Sequence, residues 1–292
     1  NLLRSSSMHR RALATPGLRR GKPLFFDMIH SNNAARIRIW LELKHGMRDR
    51  IDTEMVVYPD LQTGRFARIN PLRKVPALIR DDGVAVFEAR VILDYLERKY
   101  STAEPSFVPE SPEDRQLMDL IIQCHDLYVA SPNSTQPGFS HSQGAMYLSP
   151  YETRFCSAAR AIDRPTRAKK IAEVWKQLNW LESNIRGTPY IIGSDLTLAD
   201  FTWFPTTIFM EFMLPRVFGW PDVFRDPLYF PKIVRWWGHL VSRSEFARVR
   251  EQIYGYWEQK WEEGQFESIL EEVKDTSYQW RYPIEGEWSG PQ

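Results

Sequence analysis

Residues 70–96 read "NPLRKVPALIRDDGVAVFEARVILDYL", and their reading decides the fold. Two short apolar runs, "VPALIR" and "VAVFE", flank "DDG", an Asp-Gly turn of the kind that joins antiparallel strands. Pro76 stands at the mouth of the first run. Proline donates no ladder hydrogen bond and is tolerated at strand starts and edges. It marks either a plain strand boundary or a cis turn that leaves neighbouring backbone free for a ligand. The second run passes straight into "ARVILDYLERKY", whose Val91, Ile92, Tyr95 and Leu96 recur at helical spacing.

Upstream of this hairpin, "PLFFDMIH" is expected as a strand, with His30 packing at its end. "SNNAARIRIWLELKHG" is expected as a helix, with N-cap chemistry in 31–33 and a stop at Gly46. "RIDTEMVVYP" gives a second strand, and "DLQTGRFARIN" a short helix or irregular link. The order is β-α-β-α-β-β-α. A helical crossover implies that the first two strands are parallel, whereas the Asp-Gly turn implies an antiparallel pair, so the sheet is mixed and four-stranded.

After Tyr100 the texture changes. "STAEPSFVPESPED" holds three prolines and reads as a linker over 101–110. Four helical stretches follow: "EDRQLMDLIIQCHDLYVA", "RAKKIAEVWKQLNWLESNI", "TLADFTWFPTTIFMEFML" and "FPKIVRWWGHLVSRSEFARVREQI". Residues 131–150 read as a long polar surface loop and 220–231 as an aromatic one. Within "GSDLTLADF", Thr197 and Asp200 form a capping box, with Leu196 and Phe201 as its hydrophobic staple. The expected divisions are a basic head (1–22), a mixed α/β domain (23–100), the linker, an all-helical domain (111–263) and an acidic tail rich in Tyr and Trp (264–292).

Composition narrows the function classes. Residues 1–26 carry Arg4, Arg10, Arg11, Arg19, Arg20 and Lys22 and no acid. Removing those six from 38 leaves 32 basic against 37 acidic residues, so the body is mildly acidic. That argues against nucleic acid as a partner. The Arg- and Ser-rich head suits either a targeting-peptide remnant or a disordered basic tail, hence a cytoplasmic or an organellar (plastid or mitochondrial) location. No apolar run reaches the length of a membrane span. Cys124 and Cys156 form no CxxC and no His/Cys cluster, so neither a metal site nor a disulfide framework is expected.

"SNNAAR", "NPLRKVPAL", "DDGVAVFEARVILDYL" and "GSDLTLADF", in this order and spacing, resemble the glutathione transferase superfamily over residues 22–262. The resemblance implies a thioredoxin-like amino-terminal domain followed by an all-helical carboxy-terminal domain. It implies no bound cofactor, glutathione as co-substrate, a small apolar electrophile and a homodimer. Pro76 would be cis and Val75 would pair strand-like with the cysteinyl part of glutathione. Glu88 would meet the γ-glutamyl amine. The backbone N–H of Ala89 would meet the γ-glutamyl carboxylate, at a helix N-terminus suited to anions. The family usually has serine where Ala89 stands, so one hydroxyl is missing. Lys74 or Arg73 would reach the glycyl carboxylate. Ser31 is the first candidate to stabilise the thiolate and Asn33 or Asn32 the second; the same residues also serve as helix caps. The segment has no cysteine, which removes thioltransferase-type chemistry. Tyr128 and Tyr147 are candidates to line the electrophile pocket. Two functions follow: a glutathione transferase, or a non-catalytic glutathione-transferase-like subunit of a larger assembly.

Overall fold

The Asp-Gly turn closes as its residues require. In a computed structural model of the chain, describing residues 21–130, 142–154 and 161–284, Gly83 takes φ +81°. A side chain rarely adopts that backbone. Arg80 and Val84 are bridged across the turn by N–H···O=C at 2.9 Å, and the Asp82 carboxylate accepts from the Val84 amide. The strands so joined, β3 (Ala77–Ile79) and β4 (Ala85–Phe87), are antiparallel, with Ala77 opposite Phe87.

β1 (Leu24–Asp27) pairs antiparallel with β3 and parallel with β2 (Asp52–Met55). The sheet order is β2-β1-β3-β4, the mixed four-stranded sheet that the sequence implies. α1 (Asn32–Leu43) and the single-turn α2 (Met47–Arg50) make the crossover from β1 to β2. The "DLQTGRFARIN" link is two short helices, α3 (Tyr58–Leu61) and α4 (Gly64–Ile69). α5 (Ala89–Lys99) follows β4 directly. Successive strand residues point to opposite faces, and Phe25 and Phe26 are both fully buried, so the sheet is covered on both sides. Phe26, Met28, Val56, Leu61, Phe66, Ile69, Ala77 and Ile79 form one core cluster. α1 packs on α5, where Glu97 accepts from the Trp40 indole and pairs with Lys44 at 3.2 Å.

The chain divides between Ser106 and Phe107 into two units. The described elements of the second are helical: α6 (Pro112–Cys124), a π-helical turn (His125–Val129), a 3₁₀ turn (Ser142–Met146), α7 (Arg164–Asn184), α8 (Leu198–Phe218), α9 (Pro231–Val241), α10 (Ser244–Glu262) and α11 (Glu267–Glu272). α8 is buried along nearly its whole length, the signature of a central helix. It runs through Pro205 and Pro215 and ends at Phe218, four residues beyond the expected stretch, with Gly219 (φ +67°) as its cap.

Residues 264–284 do not hang from this unit as a tail. Phe266, Ile269, Trp280 and Tyr282 are buried, and the Trp220 indole donates to the Trp280 carbonyl at 2.7 Å. The Tyr282 ring lies 5.9 Å from that of Trp175 and 5.3 Å from that of Trp220. Phe266, Ile269, Leu270 and Val273 recur at helical spacing around α11, whereas Trp280 and Tyr282 lie in irregular chain, where burial leaves no local pattern. The basic head up to residue 20, Cys156, most of the polar loop and residues 285–292 lie outside the described residues.

Candidate glutathione site on the amino-terminal unit

Strand register brings three chain segments to one end of the sheet. Ala77 lies opposite both Phe26 and Phe87, so Pro76, the residue after β1 and the residue after β4 share that end. The Val75–Pro76 peptide is cis, Pro76 is buried and Val75 is half-buried. Asn70 shapes the approach: its side-chain amide donates to the Lys74 carbonyl at 2.7 Å and its carbonyl oxygen accepts from the Leu72 amide. The Lys74 side chain is exposed, whereas Arg73 (φ +52°) is tied to Gln62.

Glu88 is the N-cap of α5 with φ +71° and ψ +120°. A non-glycine residue held there costs on the order of 1–3 kcal/mol, strain of a kind that clusters at functional sites. Its side chain is exposed and makes no cap hydrogen bond, and the first turn of α5 carries no acid. Amides of an uncapped helix start favour a negatively charged ligand group. Ala89, the first residue of α5, is 6% exposed.

After β1, the Ser31 amide donates to the Met28 carbonyl at 2.8 Å and closes a tight turn. The Ser31 hydroxyl oxygen caps α1 by accepting from the Ala34 amide at 3.2 Å. A capping oxygen still has its own O–H to donate. Asn32 and Asn33 begin α1, Asn32 buried and Asn33 half-buried. His30 does not simply pack at a strand end: its Nε2 lies 3.0 Å from the Tyr58 hydroxyl.

In the helical unit, Tyr128 lies on the π-helical turn and is 50% exposed. Tyr147 is a packing residue, its ring 5.5 Å from Phe209 and 5.2 Å from Trp257. His125, three residues before Tyr128, is fully buried and bonded to Thr206 and Asp126.

The glutathione S-transferase, N-terminal domain family matches residues 30–99, and the glutathione S-transferase, C-terminal domain family matches residues 164–237. The chain belongs to the glutathione transferase superfamily. It is 24% identical over 220 residues to a glutathione S-transferase domain-containing protein of Dictyostelium discoideum, covering 74% of this chain and 75% of that one. It is 31% identical over 107 residues to maleylacetoacetate isomerase of Mus musculus, a match covering 35% of this chain and 46% of the relative. In fold it is similar to glutathione transferase Omega 3C from Trametes versicolor, with TM-score 0.59, 17% identity and coverage of 88% of this chain and 97% of that one.

One pair at this superfamily member's site was not among the sequence candidates. Asp27 ends β1, and its Oδ2 lies 3.1 Å from Arg38 Nε, with side chains 3% and 13% exposed. Burial pushes the Asp27 carboxyl up from its ordinary value and the Arg38 charge pulls it back; burial likewise pulls the guanidinium down. Arg38 Nη2 also donates to the Ile29 carbonyl at 3.0 Å. The signal in the sequence is an Asp closing an apolar strand, "FFD", and an Arg inside the apolar stretch "RIRIW".

Proposed function

We propose that this chain binds glutathione at the shared sheet end and transfers its thiolate to a small apolar electrophile. The observation that supports the reading is that the segment leading to Ser31, the Val75–Pro76 peptide and the Glu88–Ala89 junction all adjoin the same end of the sheet in its register. Glutathione offers a peptide edge for Val75, an amine for Glu88, a carboxylate for the α5 amides and a thiol for the Ser31 O–H. A donor beside a thiol stabilises the thiolate, which is the reactive form. Lys74 is the cation proposed for the glycyl carboxylate, and Asn33 the alternative donor. Tyr128, with its exposed ring, is the aromatic proposed to meet the electrophile. A homodimer belongs to the same proposal and is checked by sedimentation.

Ala89 favours a second reading, a non-catalytic glutathione-transferase-like subunit of a larger assembly. One lost hydrogen bond to a charged group costs about 1.5–3 kcal/mol, or one to two decades of affinity. Retention on immobilised glutathione and conjugation of a generic aromatic electrophile decide between the two. Turnover by the wild type and its loss in Ser31→Ala support the enzyme. Neither retention nor turnover by the wild type rejects it.

A further inference from the structure

We propose that Arg38, anchored on Asp27, is a positioning residue that sets the turn presenting the Ser31 hydroxyl. What Ser31 does rests on the glutathione reading above; what Arg38 does rests on geometry alone.

Three contacts place the guanidinium on both sides of the turn. Nε meets Asp27 Oδ2 at 3.1 Å, Nη2 approaches Asp27 Oδ1 at 3.4 Å, and Nη2 donates to the Ile29 carbonyl at 3.0 Å. Asp27 is itself held in the sheet, its carbonyl accepting from the Val56 amide at 2.8 Å. Arg38 therefore ties the fixed last residue of β1 to the middle of the Met28–Ser31 turn. Arg38 lies in α1, the helix that Ser31 caps, so strand, turn and helix are referenced to one planar group.

A buried ion pair is a poor choice for stability alone, because apolar residues of similar volume usually do as well or better. Hydrocarbon, however, cannot hold a turn carbonyl in place. The fixed fork of arginine reaches Asp27 and Ile29 together, whereas a lysine offers a point charge. A hydroxyl that must meet a thiolate needs this supporting shell, because small misplacements of reacting groups cost rate steeply.

The test uses the full chain. Arg38→Met removes the fork, and Asp27→Asn/Arg38→Gln removes it without leaving a buried charge unpaired. The pair at the other end of α1, neutralised in Lys44→Met/Glu97→Gln, is the control for stability alone. Amide hydrogen exchange of residues 28–35 should quicken about tenfold in both Arg38 variants, since the turn loses its anchor. With an aromatic electrophile, kcat should fall about tenfold while the glutathione KM stays within about twofold, the split expected when only thiolate placement is lost. The control should change neither per folded molecule. Wild-type exchange and wild-type kcat in Asp27→Asn/Arg38→Gln would overturn the proposal. If the wild type shows no turnover, the transfer reading falls. The exchange experiment then still decides: faster exchange upholds Arg38 as the anchor, and unchanged exchange removes it.

Discussion

Glu272, eight residues past Gly264, is buried against Arg167 in the first turn of α7, with Nε and Oε1 3.2 Å apart and side chains 0% and 2% exposed. Arg167 also donates to the carbonyls of Ala145 and Leu148. One guanidinium thus joins α7, the 3₁₀ turn and the carboxy-terminal segment. Glu272→Ala should cost about 3 kcal/mol, because it removes a buried carboxylate that faces a buried guanidinium. Ending the chain after Gly264 should cost more, since it also uncovers Trp175 and Trp220. Urea denaturation checks both; a midpoint unchanged in Glu272→Ala would remove the pair from the account of this segment.

Asp275 fastens the same segment from outside. The Ser277 hydroxyl and amide, with Arg164, hold its carboxyl below the usual range. A depressed folded-state pKa gives stability that is present above the ordinary value near 3.8. That stability is lost as pH falls through the lower folded value. Hydrogen exchange of residues 264–284 should therefore quicken below about pH 4, before the α8 core responds. Asp275→Asn should exchange faster at neutral pH and lose this acid dependence.

Thr197 and Asp200 form the expected capping box, with Asp200 Oδ2 accepting from the Thr197 amide at 2.8 Å. Oδ1 is committed elsewhere, to the Ile191 amide at 3.0 Å and the Trp236 indole at 2.9 Å. Thr197→Ala should cost about 1 kcal/mol. Asp200→Ala should cost about 3 kcal/mol or more, because it strands several buried donors. Glutathione affinity per folded molecule should change in neither; a fall in affinity at unchanged melting temperature would contradict a purely folding role.

Ser31 has two roles that substitution can separate. Ser31→Ala should lose about 1 kcal/mol of stability with the cap. Ser31→Asp should keep the cap, since Asp caps as well as Ser, but it removes the O–H donor. Turnover should vanish in both variants, whereas only the alanine variant should melt early. Turnover surviving in Ser31→Asp would pass the donor role to Asn33.

Ala89→Ser supplies the hydroxyl missing at the start of α5. Glutathione affinity should rise by about one to two decades, the worth of one hydrogen bond to a charged group. Calorimetric titration reads it directly. Unchanged affinity would mean that the α5 amides already satisfy the ligand carboxylate.

The local elements were legible because their causes are local. "DDG" specifies its turn, "TLAD" its cap, and the strand-helix-strand order its parallel pair. Ser31, Val75, Pro76, Glu88 and Ala89 became candidates through the resemblance of their motifs to the superfamily, and each sits at or beside an element boundary. Arg38 could not be named, because its partner Asp27 lies 11 residues away across a turn. The packing of Tyr147 on Phe209 and Trp257 was not legible either, because its partners lie 62 and 110 residues away in the chain.

Periodicity, turn chemistry and caps act over a few residues, so the sequence by itself determined the mixed sheet, the helical second unit and the junctions that hold the candidate site. Register and burial act between residues far apart in the chain. Tertiary structure alone therefore decided that three junctions share one sheet end, that Arg38 anchors the Ser31 turn, and that Glu272, Trp280 and Tyr282 are core. A buried charge or ring is stabilised by the group that happens to face it, and no local pattern records which group that will be.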